Sequence, residues 1–425
     1  MAAETIFALS SGRPPAAIAV VRISGVNAHE AGKALAGSLP DPRRAETRRL
    51  RRENGAVLDD ALVLRFDAPA SATGEDVVEL HCHGGRAVTD AVLARLGEMK
   101  GLREALPGEF TRRAFENGRI DLTEAEGLAD LLEAETESQR RAALALFEGG
   151  LRKQVDGWRE QMLALSAEAE RAIDYAEEDD DSGTTELSGE CGALASELRE
   201  WLDRPRVEPL KDGIRVVIAG PPNAGKSSLL NAIAGQDRAI VTDVAGTTRD
   251  HLEVPLSLAG VPLLLTDTAG LRETADEVEA IGVARAGALV EAADILVWLG
   301  GPAEAPWHPR LIRVHPKADL GGSSDPQSTM PVSSKTGNGI AELLSAVERE
   351  ACGLLPGEDA VALNRRQVAL LSEAAAALQE GAAATDAAIV ADALRRARSA
   401  IDRISGRAGV EDMLDALFSR FCLGK

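Results

Sequence analysis

Lysine is scarce in this chain: eight of its 47 basic residues are lysines, and 68 acidic residues bring the formal charge to −21. Such a balance repels polyphosphate over long range, so the chain as a whole is a poor nucleic-acid binder. The one dense basic run, Arg43, Arg44, Arg48, Arg49, Arg51 and Arg52, is interrupted by acids and reads as a solvated loop. No run of about 18 consecutive apolar residues offers a membrane span, so no membrane insertion is expected. Met1-Ala2-Ala3-Glu4 has neither a basic nor an apolar segment of the secretory kind, which makes a cytoplasmic location the default expectation. Four cysteines, Cys82, Cys191, Cys352 and Cys422, are scattered without a CxxC pair, which excludes a disulfide framework or zinc knuckle. His81-Cys82-His83 alternates along an apparent strand, so its three side chains cannot converge on one ion.

At about 100–200 residues per domain, 425 residues suggest two to four domains. From Glu4 to Asn117, β-rich runs at Ala17–Ile23, Ala61–Phe66 and Val77–His81 alternate with helical stretches at Ala28–Leu35 and Ala87–Leu96, an α+β pattern. Thr123-x-x-Glu126 then resembles a capping box opening a long helix, with Ala125, Leu128, Ala129 and Leu132 on its buried face. Leu151, Val155, Trp158, Met162 and Leu165 repeat that spacing, and the acidic stretch Glu177–Thr185 reads as a loop. At Gly213 the pattern changes to strands alternating with helices, the signature of a doubly wound α/β sheet. Beyond Pro356 it turns helical again, with Val368, Leu371, Ala375 and Leu378 on one face and Val410, Met413, Leu414, Leu417, Phe418 and Phe421 on another. One helix bundle built from both flanks of the insert would bury these stripes.

The chemistry concentrates in the insert. Gly220-Pro221-Pro222-Asn223-Ala224-Gly225-Lys226-Ser227 matches GxxxxGK[ST] between a buried strand and a helix, the context a P-loop requires. Its backbone N–H groups and helix N-terminus suit phosphates, Lys226 suits the β- and γ-phosphates, and the Ser227 hydroxyl suits Mg²⁺, with Ser228 following. Asp267-Thr268-Ala269-Gly270 ends an apolar run, where the carboxylate reaches the magnesium through water. Between them, Gly246-Thr247-Thr248-Arg249-Asp250 supplies hydroxyls to a loop that closes on the γ-phosphate, with Thr248 as the magnesium ligand.

Pro316-Lys317-Ala318-Asp319 stands where a GTPase carries Asn-Lys-x-Asp. Asp319 accepts from two guanine donors that adenine lacks, whereas Pro316 brings neither a side-chain amide nor a backbone N–H. Ser333-Ser334-Lys335 resembles the clamp on the guanine O6. Leu271 occupies the position of a water-orienting glutamine, so another group is needed; Glu279 is an available carboxylate and equally a solvated surface acid.

Asn223 in the P-loop, Thr242-Asp243-Val244-Ala245-Gly246-Thr247-Thr248-Arg249-Asp250, Leu271-Arg272-Glu273-Thr274 after Asp267–Gly270, and the terminal Phe421-Cys422-Leu423-Gly424-Lys425 together resemble the MnmE (TrmE) family of tRNA modification GTPases. The likeness spans the chain, through Val21-Arg22-Ile23-Ser24-Gly25, Glu75–Leu80, His83-Gly84-Gly85, Pro107–Thr111 and Arg119–Leu122. It implies a multidomain protein: an α+β folate-binding and dimerising N-terminal domain (1–118), a discontinuous α-helical domain (119–212 and 354–425), and an inserted α/β P-loop, Ras-like G domain (213–353). It implies GTP hydrolysis activated when two G domains meet across K⁺, with Asn223, Thr242, Val244 and Thr247 as potassium ligands and Glu279 orienting the water. It implies that Arg22, Glu79, Arg119 and Lys425 hold 5-formyltetrahydrofolate or methylenetetrahydrofolate, and that Cys422 matches a cysteine proposed to be reactive. The implied assembly is a homodimer joined in a heterotetramer by the FAD-dependent subunit MnmG, through which most tRNA contact runs. Its product is an aminomethyl or carboxymethylaminomethyl group on C5 of the wobble uridine. Pro316 departs from the family pattern. A ribosome-assembly GTPase of the Era or EngA type is the alternative, weakened by the single P-loop and the absence of a basic terminal module. A G domain kept only as a dimer scaffold is a third reading.

Overall fold

A computed structural model describes residues 4–174, 182–204, 206–236, 239–241, 253–267, 287–321, 330–355, 357, 361–409, 411–419, 421 and 424. The chain folds as two compact units, one of Met1–Ala129, Arg152–Arg159 and Ile401–Lys425, the other of Asp130–Leu151 and Glu160–Ala400.

In the first unit β1 (Thr5–Leu9), β2 (Ile18–Ser24), β3 (Ala45–Arg51), β4 (Val57–Phe66), β5 (Val77–His83) and β6 (Leu102–Glu104) form one sheet, ordered β3-β4-β5-β2-β1-β6. Neighbours are antiparallel except β1 and β6. The helices Ala28–Ala36 and Arg86–Gly97 supply Ala28, Leu35, Val92 and Leu96 to a core with Val21, Ile23, Val63, Val78, Leu80 and Cys82 of the strands. Strand side chains alternate between faces, so Val20, Arg22, Leu62, Glu79 and His81 share the opposite one. The arginine run is therefore only in part a loop: Arg43, Arg44 and Arg52 flank a strand, whereas Arg48, Arg49 and Arg51 belong to that strand, β3, an edge strand whose single buried residue is Leu50. Edge strands tolerate such charge because one side of the ladder faces water.

The capping box after this sheet sits two residues earlier than expected. Asp121 Oδ1 accepts from the Glu124 N–H (2.9 Å) and the Thr123 hydroxyl (2.7 Å), while Glu124 Oε2 accepts from the Asp121 N–H at 2.8 Å. Leu122, fully buried, is already the first helical residue, so the cap precedes it. The helix is also short, Leu122–Glu133, and Leu132 is 46% exposed instead of buried. Leu122, Ala125 and Ala129 pack against Leu414, Phe418 and Phe421 of the C-terminal segment. Ion pairs tie segments distant in sequence: Arg159 to Asp402 and Arg407 to Asp156 at 2.8 Å each, and Arg152 to Glu124 at 2.7 Å.

The helix Gly150–Asp174 buries Leu151, Val155, Trp158, Met162 and Leu165 as the spacing predicts. Trp158 has no exposed surface. Trp158→Ala is expected to cost about 3–5 kcal/mol through lost burial and the cavity left behind, seen as a lowered midpoint in urea; an unchanged midpoint would show that the site collapses freely.

In the second unit the helix Ser182–Leu202 packs on Arg365–Ala382, and it begins inside the stretch expected to be a loop, so Ser182–Thr185 are helical. Small residues allow the approach: a Cβ on Gly381 would lie 3.6 Å from the Cys191 sulfur. Burial pushes the Cys191 thiol up to about 11, so it remains protonated at neutral pH.

The same unit holds a seven-stranded sheet of β7 (Ile214–Ala219), β8 (Ala239–Val241), β9 (Glu253–Leu258), β10 (Val261–Asp267), β11 (Ile295–Trp298), β12 (Leu311–Pro316) and β13 (Met330–Val332). Its order is β13-β12-β11-β7-β10-β9-β8, parallel from β13 to β10, with β9 antiparallel to both its neighbours. β7 lies between β10 and β11, so the chain leaves it where the strand order diverges, the place where open α/β sheets bind ligands. Helices Lys226–Ala234 and Ile340–Cys352 complete its core through Leu229, Leu230, Ile233, Leu343, Leu344 and Val347.

Candidate functional site

The P-loop follows β7. Gly220 has φ 153°, and a Cβ there would stand 2.6 Å from the Leu299 carbonyl oxygen, so only glycine lets the loop leave the sheet here. Gly225, at φ 97°, turns the chain into the helix beginning at Lys226. Lys226 is buried, and its ammonium donates to the Gly220 and Pro221 carbonyls at 3.0 Å each, across the mouth of the loop. The Ser227 hydroxyl donates to Asp267 Oδ2 at 2.5 Å; that carboxylate ends β10 and is 3% exposed. The first turn of the helix after β7 and the end of the neighbouring strand β10 thus set a hydroxyl and a carboxylate, both hard oxygen donors, beside the Lys226 ammonium. Asn223, Ser227 and Ser228 are exposed, and Ala224 and Gly225 half-buried between them.

The segment after β12 comes to the same loop. Lys317, in the left-handed region at φ 57°, donates from Nζ to the Asn223 carbonyl at 2.7 Å; Asn223 is itself left-handed at φ 63°. Pro316 ends β12 opposite Val332 in the ladder, and Ala318 and Asp319 begin a short 3₁₀ turn. Ser333, buried, donates to Asp319 Oδ1 at 2.7 Å, and this bond, aided by Lys335, holds the Asp319 carboxyl below its usual range. Ser334 is half-buried and Lys335 exposed beside it. The Lys317–Asn223 and Ser333–Asp319 bonds had no signal of their own in the sequence beyond the motifs that contain them. Thr242, Asp243, Val244, Ala245, Gly246, Thr247, Thr248, Thr268, Ala269, Gly270 and Glu279 lie outside the described residues.

A second group of candidates lies on the sheet of the first unit. Arg22 and Glu79 are opposite each other on β2 and β5, and the guanidinium Nε and Nη2 each lie 2.9 Å from Glu79 Oε1. Phe110 lies beneath the guanidinium, 5.7 Å from ring centroid to Cζ. Arg119 is exposed, its methylenes close against Gly74. Lys425 and Cys422 lie outside the described residues, while Gly424 accepts from the Ser10 hydroxyl at 2.7 Å, just past β1. Period-two alternation would have added His81 to this group, because it shares Glu79's face. The three residues His81, Cys82 and His83 do diverge as expected: Cys82 is buried on the other face, its thiol pushed up to about 12 by burial, and His83 is held by Asp59 at 2.8 Å.

The TrmE N-terminus family model ("GTP-binding protein TrmE N-terminus") matches residues 5–119, and the MnmE helical domain model matches residues 122–422. The tRNA modification GTPase MnmE of Erythrobacter litoralis is 56% identical over 99% of this chain and 100% of its own length. The protein of that name from Rhizorhabdus wittichii is 53% identical over 100% of this chain and 97% of its own. A solved G domain, that of the T. maritima FeoB iron transporter, is 24% identical over 32% of this chain and 98% of its own, with a TM-score of 0.24. These relatives do not favour the assembly-factor alternative. With a P-loop built as described, family models over both flanks and identity above one half along the whole length, the chain belongs to the MnmE family of tRNA modification GTPases.

Proposed function

We propose that this chain hydrolyses GTP in the service of tRNA modification, working with an FAD-dependent MnmG partner to add an aminomethyl or carboxymethylaminomethyl group to C5 of the wobble uridine. The observation that carries the reading is the Ser227–Asp267 bond beside the buried Lys226 ammonium. A hydroxyl and a carboxylate in contact suit a hard divalent ion, so Ser227 and Thr248 would ligate Mg²⁺, with Asp267 behind them. When bound, the ion neutralises charge on the β- and γ-phosphates. Lys226 and the loop's N–H groups hold the phosphates in line, Asp319 and the Ser333–Lys335 segment select guanine, and Glu279 orients the water.

Asn223, Thr242, Val244 and Thr247 would hold K⁺, an arrangement consistent with the exposed, left-handed Asn223. When bound, potassium would supply positive charge where other GTPases use an arginine finger, and these residues would hold it where two G domains of a homodimer meet. Arg22, Glu79, Arg119 and Lys425 bind the reduced folate that donates the one-carbon unit, and Cys422 is a candidate thiol at the same end of the chain. The domains follow the boundaries 1–118, 119–212, 213–353 and 354–425, the partner makes most tRNA contacts, and the protein works in the cytoplasm.

Hydrolysis is expected to be faster in KCl than in NaCl at equal ionic strength, measured by phosphate release at saturating GTP and Mg²⁺; equal rates would remove the potassium step. The function itself is tested by nucleoside analysis of tRNA from a deletion strain. Unaltered wobble uridines there would overturn it.

A further inference from the structure

The face of the first unit's sheet turned away from its two helices is covered at β1 by Phe110 and Ala105, and beyond that cover it offers more than the Arg22–Glu79 pair. Glu79 spends Oε1 on Arg22, and its other oxygen, Oε2, lies 3.3 Å from His81 Nε2. A carboxylate has about four acceptor directions, so Oε2 has room for further donors once its orientation is fixed. Arg22 alone fixes one oxygen, and the carboxylate could still turn about that contact. His81, two residues along the same strand and on the same face, holds the second oxygen and removes that freedom. Val20 and Leu62 stand opposite His81 on the neighbouring strands, so the clamped carboxylate is bordered by aliphatic surface. A flat heterocycle carrying adjacent N–H donors fits that pairing, its ring on the aliphatic side chains and its donors on Glu79. The side chains of Arg22, Glu79 and His81 are 24%, 16% and 27% exposed, accessible from one side and supported from the other.

Resting on the folate reading above, we infer that His81 is a positioning residue of the pterin subsite: it aims Glu79 Oε2 at the amide-type N–H groups of the reduced pterin. The role needs a hydrogen bond to Glu79 and no metal or covalent step, and it makes His81 replaceable by a residue that can donate from the same place.

The test is calorimetric binding of 5-formyltetrahydrofolate to the full-length chain and its His81→Leu, His81→Gln and Glu79→Gln variants. His81→Leu is expected to weaken binding about fivefold to tenfold, the scale of one ordinary net hydrogen bond. His81→Gln should bind within about twofold of the unaltered chain, because a glutamine amide can also donate to the carboxylate. Glu79→Gln should lose more than either, and all three should keep the thermal midpoint, since these side chains are partly exposed. Unchanged affinity in His81→Leu alongside weakened Glu79→Gln would overturn the role of His81 and leave the folate site standing. Equal losses in His81→Gln and His81→Leu would also overturn it, by making shape and not the hydrogen bond the cause. If the unaltered chain binds no folate, the folate reading falls and this assignment with it.

Discussion

Lys226→Met is expected to lower kcat/KM for GTP by about 10²- to 10³-fold, the cost of losing one charge-stabilising group in a phosphoryl-transfer site. The size follows from where the ammonium sits. Lys226 is buried and braced by the Gly220 and Pro221 carbonyls at 3.0 Å, so much of its desolvation is already offset by the fold before phosphate arrives. Methionine keeps the length and the apolar stem while removing the charge and all three donors, so the fold should survive. The urea midpoint serves as the control. Steady-state hydrolysis with a fall smaller than tenfold would mean that the loop's main-chain amides carry the phosphate charge by themselves, and the assignment of Lys226 would be withdrawn.

Asp319→Asn is expected to raise KM for GTP by about 10²- to 10⁴-fold, since a site built around hydrogen bonds to a substrate loses most when a partner becomes mismatched. Guanine presents two N–H donors to a carboxylate; an amide offers one acceptor and sets a donor against the other guanine N–H. The Ser333 hydroxyl that donates to Asp319 Oδ1 at 2.7 Å would fix which amide atom faces the base. Xanthine carries a carbonyl in place of the guanine 2-amino group, so the variant should favour XTP over GTP, reversing the preference of the unaltered chain. Competition between the two triphosphates is the measurement, and an unaltered GTP preference would show that the base is read elsewhere. The result also bears on Pro316, which contributes no donor at its position. With the Lys317–Asn223 bond joining this segment to the P-loop, base and phosphate recognition share one physical link.

The parts of the fold legible in the sequence are those whose cause is local. The P-loop was readable because a buried strand, glycines at fixed offsets and a helix start coincide within a short window, and the helix stripes were readable because burial repeats with the helical turn. Where the reading missed, the deciding contact was remote or the signal was shared by neighbours. Arg48, Arg49 and Arg51 form a strand because β4 pairs with them, which no charge pattern announces. Asp121 and Thr123 are both able to cap a helix; the burial of Leu122, set by packing against the C-terminal segment, decides between them. Leu132 has the right spacing and lies inside the helix, but it stands one residue from the end, beyond Ala129, the last helix residue in the cluster with the C-terminal segment. Among the candidate site residues, those in the P-loop and the guanine segment come together around one loop. His81 was legible as a strand residue, but its bond to Glu79 depends on side-chain reach.

The open margins of both sheets share one property. Among the described residues, three of the four terminal strands, β6, β8 and β13, span three residues each, and the fourth, β3, carries arginines at three of its seven positions. Such borders give a foreign strand little ladder to extend and, at β3, a positive charge to overcome. At these described borders, fibrillar growth by strand addition is thereby disfavoured at the high concentrations met during expression.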